Sequence, residues 1–547
     1  MIGILPLGVE QTELPVDALR WGLALLAIVV LLFLLVVRGW GATAAGPVGL
    51  AVSAIVAVTA FETPLETLIV AGAKGVWDAI PIVLVIVTAI LLYRVGTAAG
   101  AFHALRVGVQ EWSRNLMFLV LGFGWVFASF MQGIAGFGAP IAIVAPILVA
   151  LKVRPLYAVV IPLIGHAWAK FFGTLGVGWL ATLQVTDVED PVLTAFLTAL
   201  LLLIPIFTAG LAIAWMVGRM AGVAHALPMI LVITVLLGGG QLAFVFISPE
   251  LSAFLAATLA LVALYPLSRW SRYREPAPLE DMPAMKDDAG DVSDEGEAKP
   301  VMGLGWALMP YLVLTVASVV VLLIAPIQDF LARWSIAPAF PEVSTGFGWT
   351  TEAAEQYEPL TPLTHPAGFL LFAIVIAAIV YRARGYFEAW RDRADPPPVW
   401  RTTASDSIPA SAAVVTFLIL AAVMSHSGQT EVLALGIAAA TAPFVYAFLA
   451  NFIGVLGALV TNSSTSSNVL FAPVHTTVAA SQGISQSAVL AAQSAGGAVG
   501  NVIGPSNIIL GATTAGISGK EGEIFRKTIP WAAGVAVLTG LATIPFI

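Results

Sequence analysis

The chain has 547 residues, of which 59% are hydrophobic and only 10% charged, with no cysteine and a formal net charge of −8. A soluble globule carries about 25% charged residues, so this composition implies an all-α polytopic membrane protein and excludes a soluble one. Without cysteine there are no disulfides, no thiol chemistry and no Cys-ligated metal, and nothing in the charge pattern suggests nucleic-acid binding.

In chain order, Glu10, Glu13 and Asp17 stand where a signal peptide would be basic, so the first apolar run, Trp21 to Val37, reads as a retained helix. That run, Val192 to Val217 and Ala367 to Tyr381 approach or exceed the length needed to cross ~30 Å of hydrocarbon at about 1.5 Å per residue. The same criterion gives about 11 to 14 membrane segments. Most of the 24 Lys and Arg fall in loops that can face one side, as cytoplasmic loops do. The loops around Glu62 to Asp78, Asp187 to Asp190, Ser248 to Glu250, Gln328 to Glu358 and His426 to Glu431 are mostly acidic or neutral and are expected outside. This parity requires residues 116–151 to enter and leave on the cytoplasmic side as a re-entrant hairpin. A second hairpin, residues 443–480, enters from outside. Two inverted halves follow, residues 1–269 and 303–547, each with a hairpin and a broken helix, joined by an acidic cytoplasmic linker at 270–302.

The breaks are the densest chemical signal. Met131 to Pro140 is glycine-rich, and Thr461 to Asn468 is a run of Asn, Ser and Thr. Each is followed by an Ala-Pro pair and a second glycine-interrupted segment, Gly165 to Gly178 and Gly496 to Pro505. Lipid cannot satisfy irregular backbone, which persists at membrane depth only where protein covers it or a cavity hydrates it. Paired breaks in two halves therefore point to a midplane transport site made of half-helix ends. Backbone N–H groups near Gly136, Gly138, Ser466, Ser467 and Asn468 would receive an anion. The Thr465 and Ser467 hydroxyls and the Gln132, Asn462 and Asn468 amides offer mixed donors and acceptors. About half of these hydroxyls and amides are expected merely to cap backbone. Lys170 is the only Lys, Arg, Asp or Glu between Tyr157 and Leu183, and an intramembrane ionisable residue is a functional candidate by default. If that stretch is helical, His166 shares its face. His166, Lys170 and His475 are the coupling candidates. The six His are scattered, so no metal site is expected. Hairpin-tip carbonyls could still hold Na⁺.

The ordered blocks from residue 133 onward resemble the L-lactate permease family of monocarboxylate transporters. They are Gly133 to Pro140, Arg154 to Ala158, Phe172 to Gly176, Thr465 to Phe471, Gly496-Gly497, Ile503 to Pro505, Gly519 to Glu521 and Phe525-Arg526. The resemblance implies an ion-coupled carboxylate carrier with inverted repeats and adds Ser464 and Asn501 to the site. Family members usually carry Glu where this chain has Gln132, Asp at Ser464, Lys at Asn501 and Asn at His166. Lys170 would supply the cation that position 501 lacks. The expected function is secondary transport of lactate or glycolate across the cytoplasmic membrane by alternating access. The alternative is Na⁺-coupled transport of another organic anion, a dicarboxylate or a sulfonate. No cofactor is expected beyond H⁺ or Na⁺ as coupling ion, and the expected partners are the anion and the bilayer, with a homo-oligomer left open. No P-loop is present, and neither an enzyme's carboxylate or His cluster nor a sensor's soluble domain stands out.

Overall fold

Apolar stretches become helices almost throughout. The computed structural model describes residues 14–38, 40–136, 138–277, 279, 282–286, 301–393 and 396–547. The acidic run 287–297 of the expected linker lies outside the described residues. The first half contains α1 (Ala18–Leu32), α2 (Ala42–Ala60), α3 (Leu65–Ala98), α4 (Ala101–Gln110), α5 (Leu116–Ile134), α6 (Ala139–Ala150), α7 (Pro155–Gly165), α8 (Gly173–Val185), α9 (Pro191–Phe244) and α10 (Pro249–Arg269). The second contains α11 (Leu304–Leu323), α12 (Pro366–Ala383), α13 (Val399–His426), α14 (Gln429–Ala440), α15 (Pro443–Thr461), α16 (Ser464–Gln482), α17 (Gln486–Gly500), α18 (Pro505–Thr514) and α19 (Glu521–Phe546). Among the described residues, 11 helices are long and apolar enough to cross a membrane. One of them, α9, is two legs: Gly218 and Arg219 leave helical geometry, and Gly210 and Gly222 face Ile230 and Ala214 across the turn. Residues 65–78, expected in an outside loop, are the first turns of α3.

At both expected hairpin positions the chain runs helix, break, helix. Asn115 caps α5 by accepting the Phe118 N–H at 3.0 Å. At Ala135 the chain leaves the helix, and Gly138, at φ +89°, admits a turn that a side chain resists. Pro140 then starts α6, which needs no N–H at that position. In the second hairpin Asn462 ends α15 in the left-handed region at φ 56°, a conformation Asn tolerates better than most residues. Ser463 caps α16 by accepting the Ser466 N–H at 3.1 Å.

The two hairpins open toward opposite ends of the bundle. At one end, Arg114 N–H bonds the Arg274 carbonyl at 3.3 Å, Arg154 N–H the Ala284 carbonyl at 2.8 Å, and Lys286 N–H the Lys152 carbonyl at 2.8 Å. The mouth of α5–α6 therefore sits at this basic end. At the other, Gln486 bonds Asp187 and Glu189, and Thr186 bonds Thr476. The mouth of α15–α16 sits at this acidic end. Each hairpin is followed by a helix in two pieces, α7–α8 and α17–α18. A Cβ at Gly496 would fall on the Asn451 carbonyl, so the missing side chain lets α15 and α17 touch backbone to backbone, as small residues do in membranes.

Beyond α11, a two-stranded antiparallel hairpin, β1 (Val343–Ser344) with β2 (Thr350–Thr351), lies in a loop draped over the start of α3. Its anchors are Thr67 Oγ1 to the Ser344 carbonyl at 3.0 Å and Trp77 Nε1 to the Glu358 carbonyl at 3.1 Å.

Candidate functional site

The four irregular segments meet. After Gly165 the α7 helix tightens into one turn, Ala167–Lys170, and then three successive residues, Thr174, Leu175 and Gly176, take left-handed angles (φ 51°, 50° and 76°). For Thr and Leu this costs roughly 1–2 kcal/mol each. Full burial of Leu175 offsets its share, since such burial is worth about 1.5–3 kcal/mol. Thr174 is fixed by function of its hydroxyl: Oγ1 accepts the Gly136 N–H at 2.9 Å and ties the first hairpin tip to this break. In the second half α17 ends in the turn Asn501–Ile503, and α18 restarts at Pro505.

A cavity of about 60 Å³ lies where these segments converge, against roughly 10–15 Å³ needed by one water. Gln132 and Gly138 contribute from the first hairpin, Lys170 from the first break, Asn462, Ser464 and Thr465 from the second hairpin, and Asn501 from the second break. Hydrogen bonds hold the walls together. Ser464 Oγ donates to the Lys170 carbonyl at 3.2 Å, Asn501 Nδ2 to the Asn462 carbonyl at 2.9 Å, and Ser506 N–H to Asn462 Oδ1 at 2.8 Å.

Lys170 is the cavity's charged side chain. It is 8% exposed, and among the described residues the ion pairs are Arg20–Asp17 and Arg94–Asp406, neither of which involves it. A buried ammonium without a carboxylate is costly unless an anion comes to it. Gln132 is buried beside it with Oε1 unpartnered. The cavity therefore presents a cation, an unmatched amide and neutral Asn, Ser and Thr groups.

The remaining sequence-predicted residues lie outside that wall. Gly136 stands one layer back, bonded to Thr174. Ser467 Oγ donates to the Gly454 carbonyl at 3.1 Å and accepts from Gln493 Nε2 at 3.0 Å. Gln493 thus turns Oε1 to His475 Nε2 at 2.9 Å, and Tyr446 O–H meets His475 Nδ1 at 2.6 Å. This chain fixes one neutral tautomer of His475, wholly within the second hairpin and α17. Asn468 bonds Ser464 and Ser494, and Ser466 spends its N–H on the Ser463 cap. His166 is fully buried, with Nδ1 on the Pro162 carbonyl and Nε2 unpartnered. Because the α-helix ends at Gly165, His166 and Lys170 do not share one α-helical face.

Gly173, Thr174, Val177, Ser463 and Asn507 also line the cavity and were not singled out from sequence. Asn507 Nδ2 donates to Asn501 Oδ1 at 2.6 Å; its only sequence signal is an Asn just after the Ile503 to Pro505 break. A second group was also missed. Lys74 and Asp78, 3% and 4% exposed, lie one turn apart on α3 under the draped loop.

The model of the L-lactate permease family matches residues 22–546. The chain belongs to this family. Other proteins similar to it include the glycolate permease GlcA of Escherichia coli K12, 28% identical with 91% of this chain and 90% of that protein covered. The L-lactate permease of Halalkalibacterium halodurans is 29% identical over 88% and 87%, and that of Bacillus subtilis 168 is 27% identical over 95% and 94%. Among solved structures, the Alcanivorax borkumensis YdaH transporter is 15% identical, with a TM-score of 0.42 over 85% of this chain and 84% of that one. The permease family is a class of transporters, not enzymes, and the fold carries the membrane helices it needs.

Proposed function

We propose that the chain is a secondary active transporter of a small monocarboxylate, lactate or glycolate, driven by an ion gradient across the cytoplasmic membrane. The observation that carries this reading is Lys170, the charged group of a cavity built from both hairpin tips and both helix breaks. The substrate carboxylate pairs with the Lys170 ammonium, and the Gln132 amide with the Ser464, Thr465 and Asn501 groups receives the hydroxyl. A dicarboxylate would leave its second charge facing neutral groups, which favours the monocarboxylate. The basic end faces the cytoplasm by the positive-inside rule, so residues 270–302 are a cytoplasmic linker between an N-terminal half, 1–269, and a C-terminal half, 303–547. Alternating access follows from the opposite mouths: moving the α5–α6 tip opens the cavity inward, and moving the α15–α16 tip opens it outward.

The test is counterflow of labelled L-lactate and glycolate in proteoliposomes. Saturable exchange of either, competed by the other and abolished in Lys170→Met, is the expected result. Absence of exchange for both acids in the wild-type protein would overturn the substrate assignment.

A further inference from the structure

In the transport reading above Lys170 is committed to the substrate carboxylate, and the cavity lining has no carboxylate of its own, so a proton-driven cycle calls for a second proton-binding group. We infer that Asp78, with Lys74, is that second site, a carboxyl that loads a proton from the acidic side of the membrane; the inference rests on the transport reading above.

Position comes first. Asp78 and Arg94 are separated by sixteen residues of α3, about 24 Å of helix at 1.5 Å per residue. Arg94 is held by Asp406 near the basic end, so Asp78 sits at the acidic edge of the apolar span, within reach of water on that side. Trp77 beside it is a typical interface residue.

The surroundings come second. Asp78 is 4% exposed, yet Oδ1 has no hydrogen-bond partner, and Oδ2 accepts only the Tyr357 hydroxyl at 3.2 Å. Lys74 is equally buried but forms no ion pair with it. Its ammonium lies over the Tyr357 ring at 4.9 Å and the Phe340 ring at 5.6 Å. The charges bearing on Asp78 are Glu358 from the loop and Lys74 from its own helix. His426 at the end of α13 bears on Lys74. The other helices packed on α3 add none nearby: α8 has no titratable side chain, and Tyr381 and Arg382 of α12 lie at its basic-end terminus. A buried ionisable pair at the edge of a span is a functional candidate by default. The chemistry favours a proton over Na⁺, because a hard cation wants about six oxygens and Asp78 has one hydroxyl and an ammonium for company. Binding is simple: the carboxylate takes a proton from bulk water and becomes a neutral carboxyl.

Access comes third. The loop that places Tyr357 over Asp78 also places Trp349 in a pocket of about 170 Å³ at the acidic mouth, beside Ser425, Thr430 and Thr476. Trp349 Nε1 donates to the Ser425 carbonyl at 2.9 Å. One loop thus covers both the mouth and the carboxyl, so lifting it exposes them together. Inward, α3 packs on α8, whose first turn lines the substrate cavity.

The experiment separates coupling from binding. Lactate–lactate exchange needs no net proton movement, whereas uphill uptake does. One pH unit is worth about 1.4 kcal/mol, a tenfold gradient at one proton per substrate. The wild-type protein should accumulate labelled lactate about tenfold under an imposed unit gradient, acid outside. Asp78→Asn, which still accepts from Tyr357, should exchange lactate within twofold of wild type and accumulate none. Trp77→Phe, which removes the neighbouring anchor of the same loop but leaves the carboxyl, should still accumulate. Full accumulation by Asp78→Asn overturns the inference, as does loss of its exchange in a protein that still elutes as a folded species. Equal uncoupling by Trp77→Phe also overturns it, because loop docking would then explain both. If the wild-type protein exchanges no lactate, the transport reading itself fails, and if it accumulates lactate only with Na⁺, the proton site fails alone.

Discussion

Replacing Lys170 with Met keeps the volume and deletes the charge, and the structure assigns the change opposite signs with and without substrate. In the empty protein the ammonium is 8% exposed with no carboxylate among the described ion pairs, so its removal relieves a desolvation cost and Lys170→Met should unfold at higher temperature than wild type. With substrate the sign reverses. Truncating one member of a desolvated charge pair costs about 2–5 kcal/mol; at 3 kcal/mol, Kd rises roughly 100-fold. Lactate at 100 times the wild-type Kd stabilises the wild-type protein by about 2.7 kcal/mol. The same concentration then only equals the variant's Kd and gives about 0.4 kcal/mol. Thermal unfolding in detergent, scanned with and without lactate, reads both numbers. A variant that keeps the wild-type lactate shift, or that is less stable when empty, refutes the placement of substrate on this ammonium.

Because the chain has no cysteine, single substitutions give unique labels in the native background: Thr465→Cys and Asn507→Cys should react with a small maleimide and be protected by lactate, while Val489→Cys, fully buried in α17, should stay unreactive. Thr174→Val keeps the branched shape but leaves the Gly136 N–H without its acceptor, and should destabilise the protein by about 1–3 kcal/mol by denaturation. At Asn462, held at φ 56°, Ala should be less stable than Gly by about 1 kcal/mol, both losing the bond to Ser506. His365, just before α12, accepts the Ala367 N–H at 3.3 Å, and burial pushes its pKa down to about 4. The unfolded chain then binds more protons between about pH 6.5 and 4, so stability falls as pH falls through that window. His365→Asn, which keeps a capping acceptor, should flatten that part of the pH–stability curve.

The hairpins and breaks were legible because glycine, proline and dense Asn/Ser/Thr have direct backbone meanings. Gly138 and Pro140 mark one tip, and Asn462 and Ser463 mark the other. The cavity residues Gln132, Lys170, Ser464 and Asn501 were reached from polarity in an apolar setting and from the family resemblance. What was not legible depends on partners distant in sequence. Nothing local says that Thr174 and Leu175 turn left-handed, since contacts with the first hairpin hold them there. His475 was reached only as a lone coupling candidate, and its partners Tyr446 and Gln493, one on each ring nitrogen, are set by other helices. Lys74 and Asp78 were visible as charges, yet charge parity put residues 62–78 in a loop, and the segment around Tyr357 that covers them partway along α3 is distant in sequence.

The length of α3 bears on how this protein can be handled. Its 34 residues extend about 51 Å, well beyond ~30 Å of hydrocarbon, and at the acidic end residues 343–358 sheath one side of it while α2 and α13 pack against the rest. Most of the molecule would vanish inside a detergent belt, but this sheath would not. An antibody fragment raised against it would give particle images a landmark for alignment. A fragment that clamps the sheath to α3 would also act as a switch, holding the mouth shut from the acidic end of the bundle without entering the membrane.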